Sequence, residues 1–244
     1  MARVLVLRTG EAVNRVGSFT SLFARGLGPH IDGVDELDVT TRAADDPLEP
    51  LADVHGVVMT GSPAYVGDDA PWMRWGKRML LHTIERDVPL LAVCFGHQLL
   101  GQALGCDVGP NPRGREMGTI DVELDAPAVA DDPLFSHVPA RFQAQCTHRD
   151  VIRSASPQLR VVGKAAHDGC HVVRAGKRAW GLQFHPEFDH DVMRAYLDAR
   201  ADVLIDAHGP RAYEERIARL QQTPHAASVL VRFAALCVEQ QRGA

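Results

Sequence analysis

One stretch limits the folds open to this chain more than any other: Pro89-Leu90-Leu91-Ala92-Val93-Cys94-Phe95-Gly96-His97-Gln98-Leu99-Leu100-Gly101. A short apolar run stops at a cysteine, a glycine follows two residues later, and a helical pattern continues through Leu99, Leu100 and Ala103. A strand feeding a helix through so tight a turn projects the turn residue from the end of its sheet, the geometry of a nucleophile elbow. A thiol placed there also lies at the positive end of the helix, which favours thiolate over thiol. The competing reading is a buried core cysteine, since free cysteine is among the most buried residue types. This stretch alone leaves both open.

The rest of the N-terminal half alternates strand and helix patterns. Strands are expected at Arg3 to Leu7, Glu36 to Thr41, Gly56 to Thr60 and Pro89 to Val93. Between them, Ser18 to Leu27 reads as a short helix with Ser18 as N-cap and Gly28-Pro29 as its stop, and Ala70 to Asp87 as a longer one. Leu48 to Ala52 reads as a helical turn at most. Such alternation points to an α/β fold with a doubly wound, mostly parallel sheet. After Gly109 come short strand candidates at Gly118 to Leu124, Arg141 to Cys146, Arg160 to Ala166, Cys170 to Arg174 and Ala179 to Phe184. With no linker before them, they read as an antiparallel extension of the same sheet. Asp189 to His208 reads as one long helix. The tail, Arg211 to Ala244, reads as extra C-terminal helices broken at Thr223-Pro224. The division expected is a domain over residues 1–208 and a helical extension over 209–244. Val229, Phe233, Leu236 and Cys237 give the tail one apolar face, suited to covering the core or to a homodimer contact.

Composition excludes several functions. A formal net charge of −5 without a basic run argues against a nucleic-acid binder. Five cysteines without a CxxC pair argue for free thiols in a reducing compartment. The apolar run before Arg8 is too short for a signal peptide. No apolar stretch approaches the roughly 18 residues of a membrane span. The expectation is a cytoplasmic protein with no membrane contact.

A cysteine attacking an acyl group needs a base to take its proton and a carboxylate or amide to orient that base. His185 and Glu187, two apart in an extended segment, point to one side, and Pro186 between them fixes the backbone. If the strands ending at Cys94 and His185 finish at one edge of the sheet, the two side chains meet where open α/β sheets bind ligands. Alone, the tripeptide is a weak signal; with a strand-end cysteine it strengthens.

At this point a resemblance enters. Cys94-Phe95-Gly96-His97-Gln98 and Gly181-Leu182-Gln183-Phe184-His185-Pro186-Glu187 resemble the two signature motifs of class I glutamine amidotransferases. Met59-Thr60-Gly61-Ser62-Pro63 is similar to that family's oxyanion strand, and Thr147-His148-Arg149-Asp150-Val151 to another recurring segment. The likeness spans roughly residues 3–200 and is greatest to stand-alone chains similar to the amidotransferase half of GMP synthase. It implies a flavodoxin-like sheet in which Cys94 attacks the glutamine side-chain amide, releasing ammonia and leaving a glutamyl thioester. His185 would be the general base and acid, and Glu187 would orient it. Backbone N–H groups of Gly61 and Phe95 would hold the oxyanion, and Gln98 and Ser62 would contact the substrate. No cofactor and no metal are implied. The chain departs from the family pattern at Ala92, where glycine is usual, and at Ser62, which follows Gly61 where a second glycine is common.

Other polar residues carry less. His97 is expected to support the elbow from behind. His167-Asp168-Gly169-Cys170-His171 lacks the paired spacing of a zinc site and reads better as a turn. His148 and Asp150 suit either a structured loop or a substrate contact. Arg115 and Glu116 resemble a segment facing the acceptor domain in GMP synthase, or a plain charged loop. Only roughly 35 residues follow the core, below ordinary domain size. The functions expected are therefore a glutaminase supplying a separate synthetase subunit, or a free-standing hydrolase of γ-glutamyl peptides or amides. A non-catalytic binding protein on the same scaffold would have no need of Cys94, His185 and Glu187 together.

Overall fold

The computed structural model describes residues 2–243. Among these, nine strands form one sheet. Its parallel half holds β1 (Arg3–Arg8), β2 (Gly33–Asp38), β3 (Gly56–Met59), β4 (Leu90–Val93) and, last in chain order, β11 (Ala179–Leu182). The antiparallel half holds β6 (Glu116–Leu124), β7 (Arg141–His148), β9 (Arg160–Ala165) and β10 (Val172–Ala175). The spatial order is β2-β1-β3-β4-β11-β10-β9-β6-β7, so the chain crosses over repeatedly before β11 closes beside β4. This is the α/β sheet with an antiparallel extension that the sequence led us to expect.

The inner parallel strands β1, β3, β4 and β11 read as apolar runs because helices cover both faces, whereas the edge strand β2 carries exposed Asp35 and Glu36. Val4, Val6, Val58, Leu91 and Val93 face one apolar cluster; Leu5, Leu7, Val57, Met59, Leu90 and Ala92 face the other. The first face is packed by α1 (Phe19–Leu27), α5 (His190–Ala199) and α8 (Pro224–Gly243) through Phe23, Met193, Leu197 and Phe233. The second is packed by α2 (Pro71–Glu85) and α3 (Phe95–Ala103) through Trp75, Met79, Leu99 and Leu100. The apolar face of α8 is thus spent on the core: a Cβ on Gly56 of β3 would meet Cys237 Sγ, and one on Gly26 would meet Leu230 Cδ1. Ser18 caps α1 by accepting from Ser21 N, and Gly28 follows with φ of 72°.

Three departures from expectation stand out. β2 stops at Asp38, because that carboxylate accepts from Thr40 N at 2.9 Å and turns Val39–Thr41 into a short 3-10 segment. Asp107–Pro110 (β5) and Asp150–Ser154 (β8) pair with each other as a separate two-stranded sheet beyond the main one, a pairing with no signature in either segment. The helix expected over Asp189 to His208 breaks at Arg200, where φ is −127°, leaving α5 and α6 (Ala201–His208). The buried stripe Val192, Met193, Tyr196, Leu197 meets an arginine at its next position, and that side chain leaves the helix to reach Thr147. Two short helices, α4 (Ala126–Val129) and α7 (Ala212–Ala218), complete the chain, and no described helix is long and apolar enough to cross a membrane.

Candidate active site

The site lies at the carboxyl ends of β3, β4 and β11, where the strand direction places chain ends from distant sequence side by side. Parallel pairing sets Leu182 beside Val93, and Cys94 N donates to Leu182 O at 2.7 Å. From there the two chains part. One turns into α3, the other runs on to His185, whose N donates to Gln145 O of β7 at 2.8 Å.

Cys94 has φ of 53°, a left-handed conformation that costs a residue with a Cβ about 1 kcal/mol or more. Neighbours enforce it. Gly96 N donates to Thr60 O, and a Cβ on Gly96 would lie 2.6 Å from Met59 O, so only glycine lets the elbow press against β3. Ala92, the departure from the family pattern, is fully buried and stands in register between Met59 and Gly181. Behind the elbow, His97 is buried against Gly181, and burial pushes its pKa down to about 4. It is a neutral packing group.

His185 and Glu187 meet as their spacing predicts. His185 Nδ1 lies 2.6 Å from Glu187 Oε1, both residues are buried, and Phe188 stacks on the imidazole at 4.0 Å. Nε2 is buried and has no hydrogen-bond partner among the described residues. The ring and the thiol converge on Gly61, where an added Cβ would meet His185 Cε1 at 3.0 Å and Cys94 Cβ at 3.7 Å. Burial alone would lower the imidazole's pKa, but the charges of Glu187 and then Cys94 outweigh it and raise it to about 10. The charged form of the ring is therefore favoured between Glu187 and Cys94.

The loop after β3 is fixed by hydroxyls. Gly61 O accepts from Thr9 Oγ1 and from Thr60 Oγ1, each at 3.0 Å. In a trans peptide the next N–H points the opposite way. Ser62 N–H is thus turned from the threonines, and Ser62 lines a cavity of about 210 Å³ that also exposes Cys94. The Ser62 hydroxyl itself is committed to Thr9 O at 2.6 Å. Phe95 N–H belongs to the first turn of α3, whose amides have no partners within the helix. Gln98 lines the cavity too, but its Nε2 is used on Asp150 O (2.7 Å) and Gln183 Oε1 (3.2 Å), leaving Oε1 for a ligand.

The segment 147–150 forms the far wall. Thr147 O lies 3.6 Å from Cys94 Sγ, and Arg200 Nη1 donates to Thr147 Oγ1 at 3.0 Å. His148 faces an acceptor at each end, Asp150 O at 3.1 Å and Glu116 Oε2 at 3.0 Å. Glu116, His148 and His171 offer ligand atoms within 4.8 Å of one another, a grouping able to hold a metal ion. A cation there would have to displace a proton of His148 and its contact with Glu116. The segment His167-Asp168-Gly169-Cys170-His171 is the turn between β9 and β10, as its sequence suggests, and its last residue, His171, is buried in this group, stacks on Phe184 and lies 3.4 Å from Asp168. Arg200 and Tyr65, which also line the cavity, carry no signal in the sequence: one sits inside an apparent helix, the other in a loop.

Comparison with known proteins shows the family. The family model described as glutamine amidotransferase class-I matches residues 18–201. The glutamine-hydrolysing GMP synthase of Thermomicrobium roseum is 37% identical over 137 residues, 55% of this chain and 24% of that protein. Its counterpart in Clostridium novyi is 30% identical over 179 residues, 71% of this chain and 32% of that protein. The chain thus spans a quarter to a third of these curated relatives. Among solved structures, a glutamine amidotransferase from Thermotoga maritima superposes with a TM-score of 0.74 at 20% identity, covering 98% of this chain and 97% of that one. One from Methylobacillus flagellatus gives 0.72 at 19% identity, covering 98% and 94%. These two likenesses speak to the fold.

Proposed function

Because the chain belongs to the class I glutamine amidotransferase family, we propose that it hydrolyses the side-chain amide of glutamine through Cys94, His185 and Glu187. The observation that carries this reading is the short His185–Glu187 contact beside a strained cysteine at the mouth of a cavity. Cys94 thiolate attacks the γ-carbonyl carbon, and the oxyanion that forms is held by the N–H groups of Phe95 and Ser62. The sequence pattern suggested Gly61 for the second donor. The hydroxyl grip on Gly61 O favours the amide one residue on. Losing one such donor typically costs about 3 kcal/mol of transition-state stabilisation. As the C–N bond breaks, His185 gives its proton to the departing nitrogen, and ammonia leaves. Water then attacks the thioester, with His185 taking its proton, and glutamate is released. Glu187 holds the ring with Nδ1 inward and favours its charged form.

The ammonia would serve a synthetase reaction, since the GMP synthases matched carry most of their length beyond the region this chain matches. Free, mostly buried cysteines suit a reducing cytoplasmic setting. The test is glutamate release from glutamine by the wild type and Cys94→Ala, with a glutamine-analogue alkylating agent applied in parallel. Cys94-dependent release, or analogue label on Cys94 alone, is the expected result. Wild-type protein that takes no label and releases no glutamate would sink the reading.

A further inference from the structure

We propose that Glu116, His148 and His171 form a site for a zinc ion, buried beside the cavity over Cys94. The ion takes no part in the thioester chemistry; it ties together the strand ends that carry these three residues. The family pattern implies no metal, and the site exists only in the folded chain.

Glu116 opens β6 and His148 ends β7, opposite each other in the antiparallel ladder, while His171 closes the turn into β10. All three are buried, and they offer ligand atoms within 4.8 Å of one another. His171 is fully buried, and neither of its ring nitrogens has a hydrogen-bond partner among the described residues. A neutral imidazole carries one N–H and one lone pair, and burying both unpaired is costly.

His148 holds a conflict of its own. It faces Asp150 O at 3.1 Å and Glu116 Oε2 at 3.0 Å, and a neutral ring can donate to only one of them. With Nδ1–H given to the carbonyl, the Nε2 lone pair confronts a carboxylate oxygen. A cation bound by both Nε2 and Oε2 turns that repulsion into attraction. The Nδ1–H contact then orients the ring, as outer hydrogen bonds do for metal-bound histidines. His171 has similar support at hand: its Nδ1 lies 3.4 Å from Asp168 Oδ2, close but not aligned as a hydrogen bond. Charge argues the same way. Glu116 and Asp168 are buried carboxylates whose ion-pair partners among the described residues are histidines, not lysine or arginine. Buried charges are held by counter-charges or metals, and one dication balances both carboxylates.

The donors select zinc. Magnesium and calcium prefer oxygen sets, whereas imidazole suits zinc. Cys146 Sγ, 3.9 Å from Glu116 Oε2, offers a soft fourth ligand for a closed tetrahedral site. Across a tetrahedral zinc two nitrogen or oxygen ligands stand about 3.3 Å apart, so the Glu116–His148 pair opens slightly and His171 draws in. Zinc replaces the proton between His148 and Glu116 and that of the Cys146 thiol, and both pass to solvent. His148 also lines the cavity over Cys94, which gives the ion a way in.

The whole chain carrying Cys94→Ala, which removes the nucleophile as a competing ligand, is stripped with a chelator and titrated with zinc against a chromophoric competitor. One tightly bound zinc per chain is expected. Asp168→Asn, whose amide oxygen can still accept from Cys170 N, should weaken binding about 10–100-fold, and His171→Gln should weaken it further. No zinc taken from the competitor, or binding that neither substitution changes, would overturn the proposal. X-ray absorption at the zinc edge of the loaded Cys94→Ala chain reads the ligands without touching the site, so the proposal stays testable even where a variant fails to fold. Two imidazoles around the ion are expected there, and fewer than two would assign the zinc to another place.

Discussion

His185 shows how one side chain's chemistry is set by its neighbours. Its ring is buried, which opposes charge, yet Glu187 at 2.6 Å and Cys94 reverse the effect and hold it protonated to about pH 10. In the proposed mechanism the protonated form donates to the leaving nitrogen, so activity should be lost on the alkaline side as the imidazolium deprotonates. Glu187→Gln removes the main source of the raised pKa, and the alkaline limb of kcat/KM should move to lower pH. A limb that stays in place would deny Glu187 that role. The mutant should also lose less activity than Cys94→Ala, since an orienting group is partly replaceable. Thr9 acts at one remove. Its hydroxyl holds Gly61 O, and Thr9→Val should free that peptide to turn its carbonyl toward the cavity. A fall in kcat of about tenfold is expected, less than the roughly 100-fold or more that follows loss of an oxyanion donor itself. Unchanged kcat would mean that Thr60 suffices.

At the scale of elements, the β4–α3 elbow works because two backbones touch. A methyl group at Gly96 would sit 2.6 Å from Met59 O, and a main-chain atom cannot rotate aside. Gly96→Ala should destabilise the protein by about 1–3 kcal/mol, the usual range for overpacking, with a matching drop in the urea midpoint. Its glutaminase rate should fall as well, because the displaced element carries both Cys94 and Phe95 N–H. Stability lost without any loss of rate would show that the elbow tolerates movement. The break between α5 and α6 is the converse case. There an arginine interrupts an apolar stripe, and the side chain becomes a wall of the cavity.

Across the whole molecule, the parallel strands are covered on both faces, and α8 supplies part of that cover from the end of the chain. Phe233 is fully buried in the same cluster as Val4 and Val58. Phe233→Ala should cost about 3–5 kcal/mol, measured by urea unfolding, while activity per folded molecule stays near wild type, since the ring packs at Gly56, the end of β3 opposite the site. A large loss of activity at full folding would place α8 in the function as well as in the core.

Much of this was legible in the residues. The apolar run into Cys94, the glycine after it and the His185-Pro186-Glu187 spacing determine local geometry, because strand, turn and two-residue periodicity are short-range properties. They suffice for the alternating α/β order and for three of the side chains at the site. What the linear order does not contain is which distant segments adjoin. The pairing of β5 with β8, the reach of Arg200 to Thr147 and the burial of Glu116, His148 and His171 together arise only when the sheet closes. Position 200 looked like one more turn of a helix, and the family resemblance implied Gly61 N–H as a donor, whereas the hydroxyl contacts to Gly61 O favour the amide of Ser62. Only the tertiary structure bears on either, since the course of a side chain and the direction of a peptide depend on contacts made across the fold.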